Sequence, residues 1–93
     1  MATAILKIKL MPESLETDLE KIKQEVESKI KEHGGAMNPT TPFEEQPIAF
    51  GLKALIATFA WPEEKDTDLA ENSLREIAGV SSIETIDYRR AVG

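Results

Sequence analysis

Within ATAILKIKLM at the start of the chain, Ala4, Leu6, Ile8 and Leu10 alternate with Ile5, Lys7 and Lys9. A period of two over this length defines a strand with one apolar face. Such a strand must have one side covered and the other left to water, so the rest of the chain has to supply a covering layer.

That layer is legible further along. Pro12 stops the strand, and Thr17 followed three residues later by Glu20 has the form of a capping box. Leu19, Ile22, Val26 and Ile30 then recur at intervals of three and four, an apolar helical stripe with Glu and Lys on its outer side, and Gly34 and Gly35 end it. From Ala36 to Gln46 the prolines Pro39 and Pro42 each remove a backbone donor, which leaves room only for an irregular edge strand. GLKALIATFAW is strand-like again, with Lys53, Leu55, Ala57, Phe59 and Trp61 on one side and Leu52, Ala54, Ile56 and Thr58 on the other. Leu55, Ala57 and Phe59 are expected to face the helices. Beyond PEEKD, Thr67 is placed to cap a second helix whose stripe is Ala70, Leu74, Ile77 and Ala78, closed by Gly79. The final stretch, VSSIETIDYRRAV, reads as a strand through Ile83, Ile86 and Tyr88, and its uneven spacing predicts a bulge.

The order β-α-β-β-α-β with one-sided strands predicts an α+β fold of the ferredoxin-like split βαβ kind: an antiparallel four-stranded sheet with two helices on one face. The expected core is Leu6, Ile8, Leu19, Ile22, Val26, Leu55, Phe59, Leu74, Ile77 and Ile86. The other face would carry Lys7, Lys9, Ala54 and Ile56, lysine stems over small apolar patches. At 93 residues there is room for one core, so residues 1–93 are read as a single domain.

Composition excludes several functional classes. No apolar run approaches the roughly 20 residues a membrane span requires, and Lys7 and Lys9 interrupt the only stretch that resembles a signal peptide, Ala2 to Met11. No membrane association and an intracellular, cytoplasmic location are expected. The absence of cysteine rules out disulfides, thiolate metal sites and cysteine nucleophiles. Seventeen acids against eleven bases give a net charge of -6, which repels phosphate backbones, so no direct nucleic-acid partner is expected. The charge is uneven: acids crowd Glu13 to Glu27 and Glu63 to Asp68, whereas Arg89 and Arg90 have only Asp87 close by.

Nothing in the chain makes up a reactive set. His33 is the single histidine and falls at a helix end, where it compensates the helix dipole. Glu44–Glu45 and Glu63–Glu64 lie in no calcium-loop pattern, Ser81 and Ser82 have no histidine base, and no glycine-rich phosphate loop occurs. The segment PESLET lacks the glycine-rich anion loop with an arginine that an acylphosphatase of this fold needs there. The chain is therefore expected to have no catalytic residue, no metal site and no cofactor. One stretch stands out instead. In EEQPIAFGLKAL, Pro47 and Gly51 bracket Ile48, Ala49 and Phe50 on a short stiff loop. Phe50 is either a lid folded onto the core or a probe held out to a partner.

PIAFGLKAL with the strand that follows, MPES after the first strand, and the ending GVSSIETIDYRR resemble the archaeal elongation factor 1-beta family over essentially the whole chain. The resemblance implies the fold read above and a guanine nucleotide exchange factor, without covalent chemistry of its own, acting on the elongation factor 1-alpha GTPase. In the eukaryotic relatives the phenylalanine of the P-I-x-F-G loop contacts the GTPase, and a lysine close to the C-terminus reaches toward its magnesium and phosphate site. Phe50 matches the first. The second has no match, because no lysine follows Lys65, the penultimate residue is Val92, and the nearby bases are Arg89 and Arg90. The partner-binding set implied is Ile48, Phe50, Gly51, Lys53, Arg89 and Arg90, on a protein that is monomeric when isolated. A small-molecule-sensing module and a dimerisation module of the same fold are the alternatives.

Overall fold

The computed structural model describes residues 3–91; Ala2 and Val92, expected at strand ends, lie outside the described residues. The elements run β1 (Thr3–Pro12), α1 (Leu19–Glu32), β2 (Ala36–Met37), β3 (Phe43–Pro47), β4 (Lys53–Pro62), α2 (Thr67–Arg75) and β5 (Val80–Ala91). β1 lies between β4 and β5, antiparallel to both, with β2 and β3 side by side on the outer edge of β4. This is the α+β, ferredoxin-like arrangement that the sequence pattern predicts.

The edge is split in two because of the prolines. Asn38 Oδ1 accepts from the backbone N–H groups of Thr40 and Thr41 at 2.9 and 3.1 Å, turning the chain away from the sheet over Pro39. The detour stays tied to β4: Asn38 N–H donates to the Thr58 carbonyl, and Thr58 N–H donates to that of Pro42. β4 thus stays paired along its length although neither proline donates.

Along β1, Ala4, Leu6, Ile8 and Leu10 are fully buried, as the period of two requires. They meet Leu55, Ala57, Phe59 and Trp61 of β4, Ile22, Val26 and Ile30 of α1, and Ala70, Leu74 and Ile77 of the α2 region in one cluster. Leu19, partly buried, packs at its rim. On the opposite face Ala54 and Thr58 are also buried. In that row Lys7 is in register with Thr58 and Asp87, and Lys9 with Ile56 and Glu84, so lysine stems cross small residues and their charges face acids.

Four local expectations are corrected. Asp18, not Thr17, caps α1, its carboxylate accepting from Glu20 and Lys21 N–H, and Asp66, not Thr67, caps α2, accepting from Asp68 N–H. A carboxylate accepts more strongly than a hydroxyl and complements the helix dipole, so at each start the neighbouring aspartate takes the position. Ile86 is not core but 44% exposed, and Ala78 is likewise exposed. The β1–β5 register shifts between Lys7 and Ile8, pairing Lys7 with Asp87 and Ile8 with Thr85, so Ile86 is the extra residue of the predicted bulge and loses its inward place.

α1 ends where the glycines predict, with the Gly35 N–H donating to Ile30 and the Gly34 N–H to Lys31, the two bonds of a Schellman motif. A Cβ on Gly35 would lie 2.6 Å from the Ala60 carbonyl oxygen, so only glycine lets the helix end pass this close to β4. His33 caps the helix, and its Nε2 lies 3.0 Å from Ser73 Oγ of α2. The single histidine is thus a strut between the two helices.

Candidate partner-contact site

β3 and β4 are joined by a hairpin whose tip is Ala49, Phe50 and Gly51. Leu52 N–H closes the turn on the Ala49 carbonyl at 3.0 Å, and Ile48 N–H donates to the Leu52 carbonyl at 2.8 Å. Phe50 has φ 58° and Gly51 φ 80°. Positive φ at both central residues is the signature of a type I′ turn, whose twist suits a hairpin and whose usual occupants are Asn-Gly or Gly-Gly. Gly51 adopts the left-handed region freely. Phe50 does not, because a bulky residue there costs on the order of 1 kcal/mol.

The ring does not recover that cost by burial, since Phe50 is 93% exposed. Of the two alternatives for Phe50, the lid and the probe, the structure has the exposed one. Ile48 is exposed at the same tip. Lys53 begins β4 beside it, Nζ 3.9 Å from Glu45 Oε1, and Glu45 Oε2 also meets Lys23 Nζ at 3.4 Å. Glu20, which accepts from Lys23 at 3.1 Å, and then Glu45 hold the Lys23 ammonium above its ordinary pKa against a partial desolvation. The base of the hairpin is therefore charged but internally compensated, and the apolar tip stands clear of it.

Sequence reasoning passed over one exposed neighbour of the hairpin. Leu15, in the loop between β1 and α1, is 67% exposed, and its Cδ2 lies 3.3 Å from where a Cβ on Gly51 would be. Its signal was an apolar residue inside PESLET that belongs to no periodic stripe. Between this loop and the hairpin lies a cleft of about 250 Å³ lined by Pro12, Leu15, Leu19, Glu45, Leu52 and Lys53, among others.

The two arginines are elsewhere. Arg90 is in register with Ala4, which is in register with Trp61, eight residues along β4 from Lys53. At strand rise this is about 26 Å from the hairpin base. Ile48, Phe50, Gly51 and Lys53 therefore form one group, and Arg89 and Arg90 lie toward the other end of a body 42 Å long. Each arginine has an acidic neighbour: Arg89 Nε is 3.1 Å from Asp87 Oδ2, and Arg90 Nε meets Glu63 Oε1. The latter is a contact of charges, since Glu63 Oε1 is buried without a well-aligned hydrogen bond. Among the described residues no group of three or more histidine or acidic side chains is gathered as metal ligands, and no helix is long and apolar enough to cross a membrane.

A family model described as the EF-1 guanine nucleotide exchange domain matches residues 5–90, a span holding both groups. The chain is 43% identical over 91 residues to elongation factor 1-beta of Methanothermobacter thermautotrophicus, covering 97% of this chain and 98% of that protein. It is 41% identical over 95 residues to the protein of that name from Methanosarcina acetivorans, covering 97% and 99%. To that from Methanocaldococcus jannaschii it is 39% identical over 92 residues, covering 98% and 100%. These matches run nearly end to end on both sides, and the chain belongs to the EF-1 guanine nucleotide exchange domain family.

Proposed function

We propose that this protein promotes exchange of GDP for GTP on the elongation factor 1-alpha GTPase during translation elongation, with Phe50 as the apolar wedge that engages the GTPase. The observation that carries this reading is an exposed aromatic ring held at positive φ on a hydrogen-bonded hairpin tip. Folding alone gives no reason to keep a phenylalanine in that conformation and in water. A partner that buries the ring does, because the tip is already ordered and little side-chain entropy is lost on binding.

Exchange needs no covalent chemistry. Nucleotide affinity of such a GTPase depends on magnesium and on switch loops held around the phosphates, so a protein that binds the empty conformation better weakens nucleotide by the difference. The coupling is reciprocal: GDP or GTP displaces the exchange factor by the same factor, and the supply of nucleotide sets the direction.

Arg89 and Arg90 are proposed to supply the cationic contact near the phosphates, some distance from the wedge. Each must exchange its present carboxylate, Asp87 or Glu63, for the partner's charge. An arginine fork suits phosphate oxygens but is larger than an ammonium, so it serves at the rim of a phosphate site rather than in a magnesium position.

Release of a fluorescent GDP analogue from elongation factor 1-alpha tests the reading. Phe50→Ala should keep its unfolding midpoint and, at fixed partner concentration, accelerate release at least about tenfold less than the parent, the factor equivalent to ~1.4 kcal/mol of lost contact. Full acceleration by the variant would remove the wedge.

A further inference from the structure

We propose that Leu15 is a second apolar anchor for the same GTPase, presented by the β1–α1 loop beside the Phe50 hairpin. The inference rests on the reading of Phe50 as a contact residue and extends it to a loop with no sequence link to the hairpin.

Three observations carry it. Among the described residues Leu15 is the most exposed large hydrophobic residue after Phe50, at 67% against 93%. It is also adjacent to the wedge, its Cδ2 being 3.3 Å from the Cβ position of Gly51, which is bonded to Phe50. A standard interface covers about 800 Å² on each partner, a disc of roughly 16 Å radius, so a surface that buries Phe50 extends over a side chain in contact with the next residue. Finally, the loop that holds Leu15 is pre-ordered. Ser14 N–H donates to Thr17 Oγ1 at 3.1 Å, Glu16 N–H to Ser14 Oγ at 3.2 Å and Thr17 N–H to the Ser14 carbonyl at 3.3 Å, while Glu13 N–H is anchored on the Gly79 carbonyl at 2.9 Å. A leucine held out on such a turn costs little further entropy when covered.

The partner face implied is apolar and wide enough to meet two loops at once. Lys53 and Glu45 line the cleft between those loops, and their charges already compensate each other at 3.9 Å, so neither needs a charged partner group. A charged partner surface would leave both leucine and phenylalanine against ions, whereas an apolar one covers both side chains together.

The test measures binding of nucleotide-free elongation factor 1-alpha by the parent, Leu15→Ser, Leu15→Met, Phe50→Ala and the double variant Leu15→Ser/Phe50→Ala, with the unfolding midpoint of each. Leu15→Ser is expected to weaken binding about fivefold or more at an unchanged midpoint, and Leu15→Met to retain parent affinity. Parent affinity in Leu15→Ser overturns the proposal, as does a loss of affinity that merely follows a fall in its midpoint. If Phe50→Ala alone binds weakly, the wedge stands and Leu15 falls. If Leu15→Ser alone does, Leu15 stands and the wedge falls. If the double variant binds like the parent, both are overturned.

Discussion

Arg89 and Arg90 are neighbours in sequence but leave β5 on opposite faces: Arg89 shares a row with Ile5 on the open face, whereas Arg90 shares one with Ala4 on the helix-covered face. Two adjacent strand residues cannot do otherwise, because side chains alternate. The pair therefore reaches a partner from the two faces of the strand end, and the single variants separate.

Arg90→Ala leaves Glu63, whose Oε1 is buried, without its compensating charge, and should lower stability by about 1 kcal/mol. Arg89→Ala removes an exposed pair and should change stability by less than about 0.5 kcal/mol. Denaturant midpoints of the two single variants check this directly. In the exchange assay the double variant is expected to be slower by more than its stability loss explains. Parent-like exchange would leave these arginines with a purely local role.

Core truncation has a larger expected effect. Ile22 is 2% exposed, with its Cδ1 3.7 Å from the Cβ position of Gly79, so its side chain sits under the connection between α2 and β5. Ile22→Ala should cost about 2 to 5 kcal/mol, read as a lower urea midpoint at constant slope.

How far these assignments were readable from sequence depended on the kind of signal. The β1 alternation and the α1 stripe placed their residues correctly because burial of one face repeats at a fixed period, and any shift would turn several residues outward at once. Ile86 lacked that redundancy. A single inserted residue moved it out of the core, and although the spacing showed a bulge, it did not show which residue would be extruded. The caps erred by one position for a similar reason, since Thr and Asp are adjacent at both helix starts and only the backbone turn decides between them. Phe50 was singled out by its flanking proline and glycine, yet its exposure rests on a left-handed φ that no local composition announces. Leu15 became visible only when the fold brought two distant loops together.

The isolated protein should not bind guanine nucleotide. A phosphate-binding loop is missing from the sequence, and among the described residues no metal-ligating cluster could hold magnesium against phosphates. Calorimetric titration with GDP and magnesium is expected to show no saturation at micromolar concentration. A saturable signal there would replace the exchange mechanism with one in which this chain carries nucleotide itself.

The last prediction separates stability from function at the hairpin tip. A phenylalanine at φ 58° followed by glycine at φ 80° fills a turn for which Asn-Gly is the preferred pair. Asparagine tolerates the left-handed region because its short side chain bonds locally, and it hides no apolar surface from water. Phe50→Asn should therefore raise stability, by about 0.5 to 1 kcal/mol, while removing the ring that the GTPase is proposed to bury. The expected variant has a higher unfolding midpoint and accelerates GDP release at least about tenfold less than the parent. A destabilised Phe50→Asn would mean that the ring supports the fold despite its exposure. A stabilised variant with parent-like exchange would mean that the strain serves something other than nucleotide exchange. Gain in one measurement with loss in the other is the outcome that ties the strained turn to partner binding.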